Sequence, residues 1–236
     1  MQPGDIPRKL NFGCGYDKRA GYYNVDSDPA CQPDLLLVDN DLSVLPRDYF
    51  HEILARDVLE HIPRTMSLAV ILEWVDMLSM GGLLHVQTSS IEGVAERLAA
   101  NPAYADQHGW TQCLFGTQAH RGDFHFTGFT HRTLTVHLLA AGLQIDGIWL
   151  EDHWLLASQT TKTSSWTDGL ADTDSMKIEQ FVDHIYRVAF NREPDRYGGE
   201  HMRTELGAGR ITRRDALKQL MSSPERLFGT ATAYSL

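Results

Sequence analysis

Apolar positions fall in short bursts separated by polar, glycine-bearing turns. Residues 8–13 run straight into Gly13-Cys14-Gly15, which predicts a short strand ending in a glycine turn. Three further strands are predicted over 22–26, 34–38 and 50–55. Residues 64–80 place Met66, Ala69, Val70, Leu72, Val75, Met77 and Leu78 at helical spacing. Gly81-Gly82 is the expected stop for that helix, because glycine takes the left-handed cap without steric cost. A strand over 83–87, helices over 91–99 and 133–141, a stop at Gly142, and a closing hairpin from 143–150 and 154–159 complete the pattern. Strand–turn–helix alternation with non-alternating strands predicts an α/β fold: a Rossmann-like, mostly parallel sheet with helices on both faces. In such sheets ligands bind beyond the carboxyl ends of the strands, so the polar residues after each early strand are where chemistry is sought.

The pattern changes after residue 160. Residues 160–176 are rich in Ser, Thr and Asp without periodicity and read as a linker. Ile178, Phe181, Val182, Ile185, Val188 and Ala189 then form a helical stripe. Asp195 is positioned to cap a second helix through Leu206, ended by Gly207 and Gly209, and Thr212 a third, closed by Ser222-Ser223-Pro224. Three short helices make a marginal core of their own, so this part is expected to lean on the main domain or on a partner. The expected organisation is a main domain over 1–160, a linker over 161–176 and a small all-α domain over 177–236.

Composition narrows the function classes. The 236 residues are 42% hydrophobic and 22% charged, ordinary for a folded globular chain. No apolar run approaches the length of a membrane span. The first seven residues lack the basic-then-apolar order of a secretory signal, and Cys14, Cys31 and Cys113 are scattered, so a cytoplasmic location is expected. Residues 1–176 hold eleven Lys/Arg against 23 Asp/Glu, whereas 177–227 hold ten against eight. An acidic main domain makes nucleic acid a poor partner.

The Gly13-Cys14-Gly15 turn lets a ligand approach the backbone closely. The third glycine of a dinucleotide fingerprint is absent, Lys18 standing there, which argues against NAD. Asp26 ends the second strand, where a carboxylate can accept both hydroxyls of an adenosine ribose. Asp41-Leu42-Ser43-Val44-Leu45-Pro46 follows the third strand and Arg56-Asp57-Val58-Leu59-Glu60-His61-Ile62 the fourth.

Leu10-Asn11-Phe12-Gly13-Cys14-Gly15, Asn24-Val25-Asp26, the Asp41 to Pro46 run and Asp57-Val58-Leu59-Glu60-His61-Ile62, in this order, resemble the class I S-adenosylmethionine-dependent methyltransferases. The likeness covers residues 8–160 and is greatest to a short bacterial branch found with cell-envelope polysaccharide enzymes. It implies S-adenosyl-L-methionine as cofactor. Gly13, Cys14 and Gly15 would wrap its methionine and ribose, Asp26 would hold the ribose diol, Asp41 would sit near the adenine amino group, and Arg56 would line the methionine moiety. Asn11 stands where many relatives carry an acid, so the usual contact to the cofactor's amine is in question. Only residues 16–23 join Gly15 to Asn24, so the first helix of the fold must be cut short. Glu60 and His61 read as packing and capping residues.

The segment from Phe115 to His131 is glycine-, aromatic- and histidine-rich, and lies where this fold inserts substrate loops. A hydroxyl acceptor benefits from a nearby base, and histidine suits neutral pH. His125 is the first candidate base and His120 the second, with Asp123 orienting one of them. The spacing of these three fits no metal signature, and no metal is expected. Residues 178–227 are similar to a small helical domain of unknown function, common in bacterial surface and glycan-related proteins and resembling phycobilisome linker domains. That likeness implies an interaction role, with a possible protein partner. The expected function is O-methylation of a sugar hydroxyl in a cell-surface glycan or its precursor, on a small-molecule or glycan acceptor. The alternatives are a non-catalytic or cofactor-binding scaffold that works through its helical tail, and an N- or carboxyl-methyltransferase of a small metabolite.

Overall fold

The computed structural model of the chain describes residues 6–120 and 122–236. Residues 1–5, part of the segment read above for a leader, and residue 121 of the histidine-rich loop lie outside the described residues. Seven strands form one sheet: β1 Lys9–Phe12, β2 Tyr23–Asp26, β3 Leu35–Leu36, β4 Phe50–Arg56, β5 Leu78–Ser89, β6 Leu143–Glu151 and β7 Leu155–Lys162. Their order is β3-β2-β1-β4-β5-β7-β6. The first five run parallel, and β7 enters antiparallel between β5 and β6. The architecture is the Rossmann-like α/β sheet, followed by C-terminal helices. The strand order reverses between β1 and β4, so the crevice beyond their carboxyl ends is the topological switch point.

Helix α1, Ser67–Met77, buries nearly all of its length, and Trp74 packs edge-to-face on Phe12 of β1 at 5.4 Å. It ends at Met77, not at Gly81-Gly82. Leu78 is already extended and opens β5, and the glycines sit inside that strand beside an irregularity in the β4–β5 register. A Cβ on Gly82 would lie 2.8 Å from the Ser79 carbonyl oxygen, so the glycine answers a close backbone approach within the strand rather than a helix cap. Helices α2, Ile91–Ala100, and α4, His131–Ala140, lie close to expectation, with Gly142 left-handed (φ +84°) after α4. Helix α3, Tyr104–Phe115, was not anticipated; it buries no residue and its apolar positions make no stripe. No helix occupies residues 13–22.

The tail holds four helices, α5 Ile178–Phe190, α6 Arg196–Gly207, α7 Arg213–Met221 and α8 Pro224–Ala233. Asp195 and Thr212 cap α6 and α7 as read from the sequence. Ser222-Ser223-Pro224, expected as an end, is also a beginning: Ser223 accepts the Arg226 amide and Pro224 takes the first position of α8, where its missing N–H costs nothing. Residues 161–176 begin inside β7 and include a 3-10 turn, Trp166–Leu170, whose buried Trp166 donates its Nε1–H to the Leu72 carbonyl of α1 at 3.0 Å. Phe181, Val182, Ile185, Leu217 and Leu220 join the same buried cluster as Ile71, Leu72, Trp74 and Leu138. Ion pairs frame that contact: Arg214 reaches Asp76 at 2.6 Å, and Lys218 and Arg47 both meet Glu73.

Candidate functional site

The turn after β1 is shaped by two glycines with different reasons for being there. Gly13 is left-handed (φ +65°), and a Cβ on it would come within 2.4 Å of Val58 Cγ2. The β1 turn is therefore pressed against the β4 turn with no room for a side chain. Gly15 is also left-handed (φ +49°), but the space where its Cβ would go is open. An L-residue there would be strained by its backbone alone, and the open space is what a ligand needs to approach the chain. Cys14 between them is buried, which pushes its thiol up to about 11, so at neutral pH it packs as a neutral group.

Two asparagines replace the absent helix between β1 and β2. Asn11 donates its amide to the Asp17 carbonyl at 2.8 Å and to Asn24 Oδ1 at 3.0 Å. Asn24 Oδ1 also accepts the Arg19 amide, and its amide nitrogen donates to the Arg19 and Tyr22 carbonyls and to Asp34. Both are buried, so the network satisfies backbone groups that a helix would have paired within itself. The donor side of Asn11 is thus committed to holding the loop.

Asp26 stands at the β2 tip, where Oδ2 accepts the Gly15 amide at 2.7 Å and Oδ1 accepts the Asp28 amide at 2.8 Å. The carboxylate is therefore fixed in place beside the glycine turn, and each oxygen keeps a lone pair to accept a further hydrogen bond. Asp41 lies farther along, exposed, capping the 3-10 turn Leu42–Val44 through the Ser43 amide at 2.9 Å. The Ser43 hydroxyl and amide hold its carboxyl below the usual carboxylate range. Arg56, at the β4 tip, donates Nε–H to Gln87 at 3.0 Å, and Gln87 donates to Glu151 at 2.6 Å, so a polar line crosses the ends of β4, β5 and β6.

The next residue, Asp57, was not singled out in the sequence. Its backbone is left-handed (φ +52°), a conformation an aspartate adopts at some cost and which gathers at functional turns. Its side chain is exposed to solvent, though protein atoms crowd around it. That crowding raises its carboxyl pKa, against the pull of Arg56, His61 and His125. Positive φ leaves no signature in an aspartate's sequence context, which is why sequence reasoning passed it by. Glu60, three residues on, is buried and accepts the Thr88 hydroxyl at 2.9 Å, and burial drives its carboxyl up to about 7. Its backbone carbonyl accepts the amides of Phe126 at 2.8 Å and Thr127 at 3.2 Å. Glu60 therefore anchors the histidine-rich loop onto the sheet end.

That loop closes on itself through Gln118 N–H to the Asp123 carbonyl at 3.0 Å and His125 N–H to the Phe115 carbonyl at 3.2 Å. The Asp123 carboxylate accepts the amide and hydroxyl of Thr117 and, among the described residues, bonds neither histidine, while the Asp123 N–H donates to the His120 carbonyl at 3.1 Å. The expectation that it orients a histidine is corrected: the carboxylate caps the loop's own turn. His120 is exposed, its Nδ1 accepting the Gly122 amide at 3.2 Å. His125 is half-buried, edge-to-face on His61 at 4.8 Å between ring centroids, with Nδ1 3.1 Å from the Cys113 carbonyl. A carbonyl only accepts, so Nδ1 carries the proton and Nε2 holds a lone pair. Nε2 makes no hydrogen bond among the described residues, and burial together with His61 holds the ring's pKa below its usual value. Glycine turn, Asp26, Arg56, Asp57 and the His61–His125 pair thus occupy one end of the sheet, while Asp41, His120 and Asp123 serve their own turns.

Residues 167–228 match the family described as Domain of unknown function (DUF4214), which covers the segment read from sequence as such a domain. No curated protein matches the chain by sequence. Solved structures similar in shape include the 1,6-didemethyltoxoflavin-N1-methyltransferase of Burkholderia thailandensis, bound to 1,6-didemethyltoxoflavin and S-adenosylhomocysteine. It is 16% identical with a TM-score of 0.46 over 66% of this chain and 71% of that one. A SAM-dependent methyltransferase from Methanosarcina mazei is 16% identical with a TM-score of 0.47, over 65% and 91% of the two chains. The N-methyltransferase NodS of Bradyrhizobium japonicum, in complex with S-adenosyl-l-homocysteine, is 16% identical with a TM-score of 0.41, over 66% and 78%.

Proposed function

We propose that the chain is a methyltransferase that uses S-adenosylmethionine and transfers the methyl group to a hydroxyl of a sugar in a cell-surface glycan or its precursor, in the cytoplasm. The observation that carries this reading is the pairing, at the switch point of the sheet, of an open glycine turn with a carboxylate fixed beside it. Gly15 leaves room where its Cβ would stand, and Asp26 is held against its amide at 2.7 Å. That arrangement suits a nucleoside: backbone close enough to touch, and an acceptor for the ribose hydroxyls. The fit is weaker at the amine end, where Asn11 is spent on the loop. Asp57, at the neighbouring strand tip, is the carboxylate left to meet that amine.

The cofactor supplies an electrophilic methyl on a sulfonium. His125 Nε2 accepts the proton of the attacking hydroxyl while the Cys113 carbonyl keeps the proton on Nδ1, fixing the tautomer. The negative charge of Asp57 favours the resulting imidazolium. The sugar acceptor rests on the resemblance of residues 8–160 to the polysaccharide-associated branch. His125→Ala is expected to keep its Tm and its affinity for S-adenosylhomocysteine while turnover on a hydroxyl acceptor falls by about 10²-fold or more. With the imidazole pKa below 6.5, the parent's rate is flat above neutrality and falls only on the acid side. Near-parental turnover in His125→Ala would remove the base from this position.

A second reading has its own observation. With Asn11 committed and both Asp26 oxygens already accepting amides, the chain fits a scaffold that keeps the fold and acts through the helical tail, whose Tyr197, Phe228 and Tyr234 are exposed for a protein partner. Absence of S-adenosylhomocysteine binding by the parent would favour it.

A further inference from the structure

Two cavities lie away from the strand ends. One, of about 350 Å³, lies where the matched helical domain meets the sheet body. The end of α4 (Ala140, Ala141, Gly142) and Ser164 form its body side, and His184, Val188, Met221 and Arg226 its tail side. Trp166 and the Ala140–Ala141 pair make much of the wall apolar.

Arg226 is the one cation in that wall, and its position is unusual in two respects. It forms no ion pair among the described residues, whereas Arg47, Arg192, Arg210 and Arg214 each hold a carboxylate. Its Nη1 donates to the Ala189 carbonyl at 3.1 Å, while its Nε is closed off from solvent with no acceptor. A shut-in N–H without an acceptor loses its hydration for nothing, and an enclosed guanidinium without a counter-charge is costly. Asp168 also lines the cavity, but its carboxylate accepts the Ser165 amide at 3.1 Å and makes no pair with the arginine. His184 has Nε2 2.9 Å from the Gly169 carbonyl, which places the proton on Nε2 in the neutral ring.

We propose that this cavity is a binding site for a small oxyanion, a carboxylate or phosphate group on a compact apolar body, held by the guanidinium of Arg226. The Nε and Nη2 hydrogens lie along one edge of a guanidinium and match two oxygens of a carboxylate or phosphate. A small turn of the side chain toward the cavity presents that edge, satisfies Nε and supplies the missing counter-charge. The apolar wall takes the rest of the ligand. Because the two sides of the cavity belong to the sheet body and to the helical domain, an occupant stabilises their contact.

The test is a thermal melt of the full chain in inorganic phosphate, methyl phosphate, acetate and succinate, each against sodium chloride at equal ionic strength. A binding anion is expected to raise Tm by about 3–6 °C at ten times its Kd, and Arg226→Gln to abolish the rise. Phosphates acting alone identify a phosphate ligand, and carboxylates acting alone a carboxylate. A rise that survives Arg226→Gln, or no rise with any of the four, overturns the proposal. Should Arg226→Gln fail to fold, the Arg226 Nε–H resonance of the parent decides: it shifts with added phosphate or carboxylate if the site is as described, and an unmoved resonance overturns it.

Discussion

Two pairs of acids in this molecule are treated in opposite ways. Glu73 and Asp76, on α1 under the tail, are each met by two cations, Arg47 and Lys218 for the first and Arg47 and Arg214 for the second. Those cations outweigh burial at Glu73, whose pKa is lowered. Asp57 and Glu60, at the carboxyl end of β4, form no ion pair among the described residues, and burial raises both. The first pair has its charge neutralised where two parts of the chain join. The second pair has both carboxyls raised and no cation paired to either, beside a histidine with a lone pair to offer. Pairing marks the seam that holds the molecule together, and its absence marks the end that can do chemistry.

Breaking the seam has the largest expected effect. Phe181 is fully buried in the cluster shared by tail and α1, so Phe181→Ala is expected to cost about 3–5 kcal/mol, a fall in Tm of roughly 6–20 °C. Near- and far-ultraviolet circular dichroism should report one transition. Two transitions, with the sheet melting as in the parent, would show that the tail is a separate module over 177–236. The same contrast is sharpened by a chain ending at residue 165, which would leave Glu73 and Asp76 without Lys218 and Arg214.

At the strand ends, Glu60 tests the opposite treatment. Its pKa is raised from 4.5 to about 7, so its contribution to stability is full below 4.5 and is lost as pH rises through 7. Glu60→Gln is therefore expected to stabilise the chain at pH 8 by up to about 3 kcal/mol and to leave it nearly unchanged at pH 4.5. Equal denaturation midpoints for parent and variant at pH 8 would show that burial does not raise the carboxyl pKa. The smallest effect is expected at Arg214→Ala, where Asp76 keeps Arg47 at 3.3 Å and the arginine side chain is itself 37% exposed. The cost should be about 1 kcal/mol by urea titration, and a loss of several would mean that the seam depends on this one pair.

The strand ends were legible in the sequence because buried parallel strands read as apolar runs and glycines mark their turns. Gly13-Cys14-Gly15, Asp26 and Arg56 fall at strand tips as expected. What each side chain bonds was not legible. Asn11 looked like a missing acid, and only its distance of thirteen residues from Asn24, closed by the parallel pairing of β1 and β2, shows that it holds a loop. Asp123 was read by its neighbours in sequence, and the turn made by Gly116 brings Thr117 to it instead. Helix α3 has no buried face to leave a periodic trace, and Pro224 reads equally as a stop or a first position.

The central claim is that a nucleoside cofactor sits on Gly15 and Asp26, and titration calorimetry with S-adenosylhomocysteine tests it most directly. The parent is expected to bind one equivalent, and Asp26→Ala, at unchanged stoichiometry, to bind about ten- to a hundredfold more weakly, the loss of a charged acceptor of roughly 1.5–3 kcal/mol. No heat with the parent, or equal affinity in Asp26→Ala, would contradict the account.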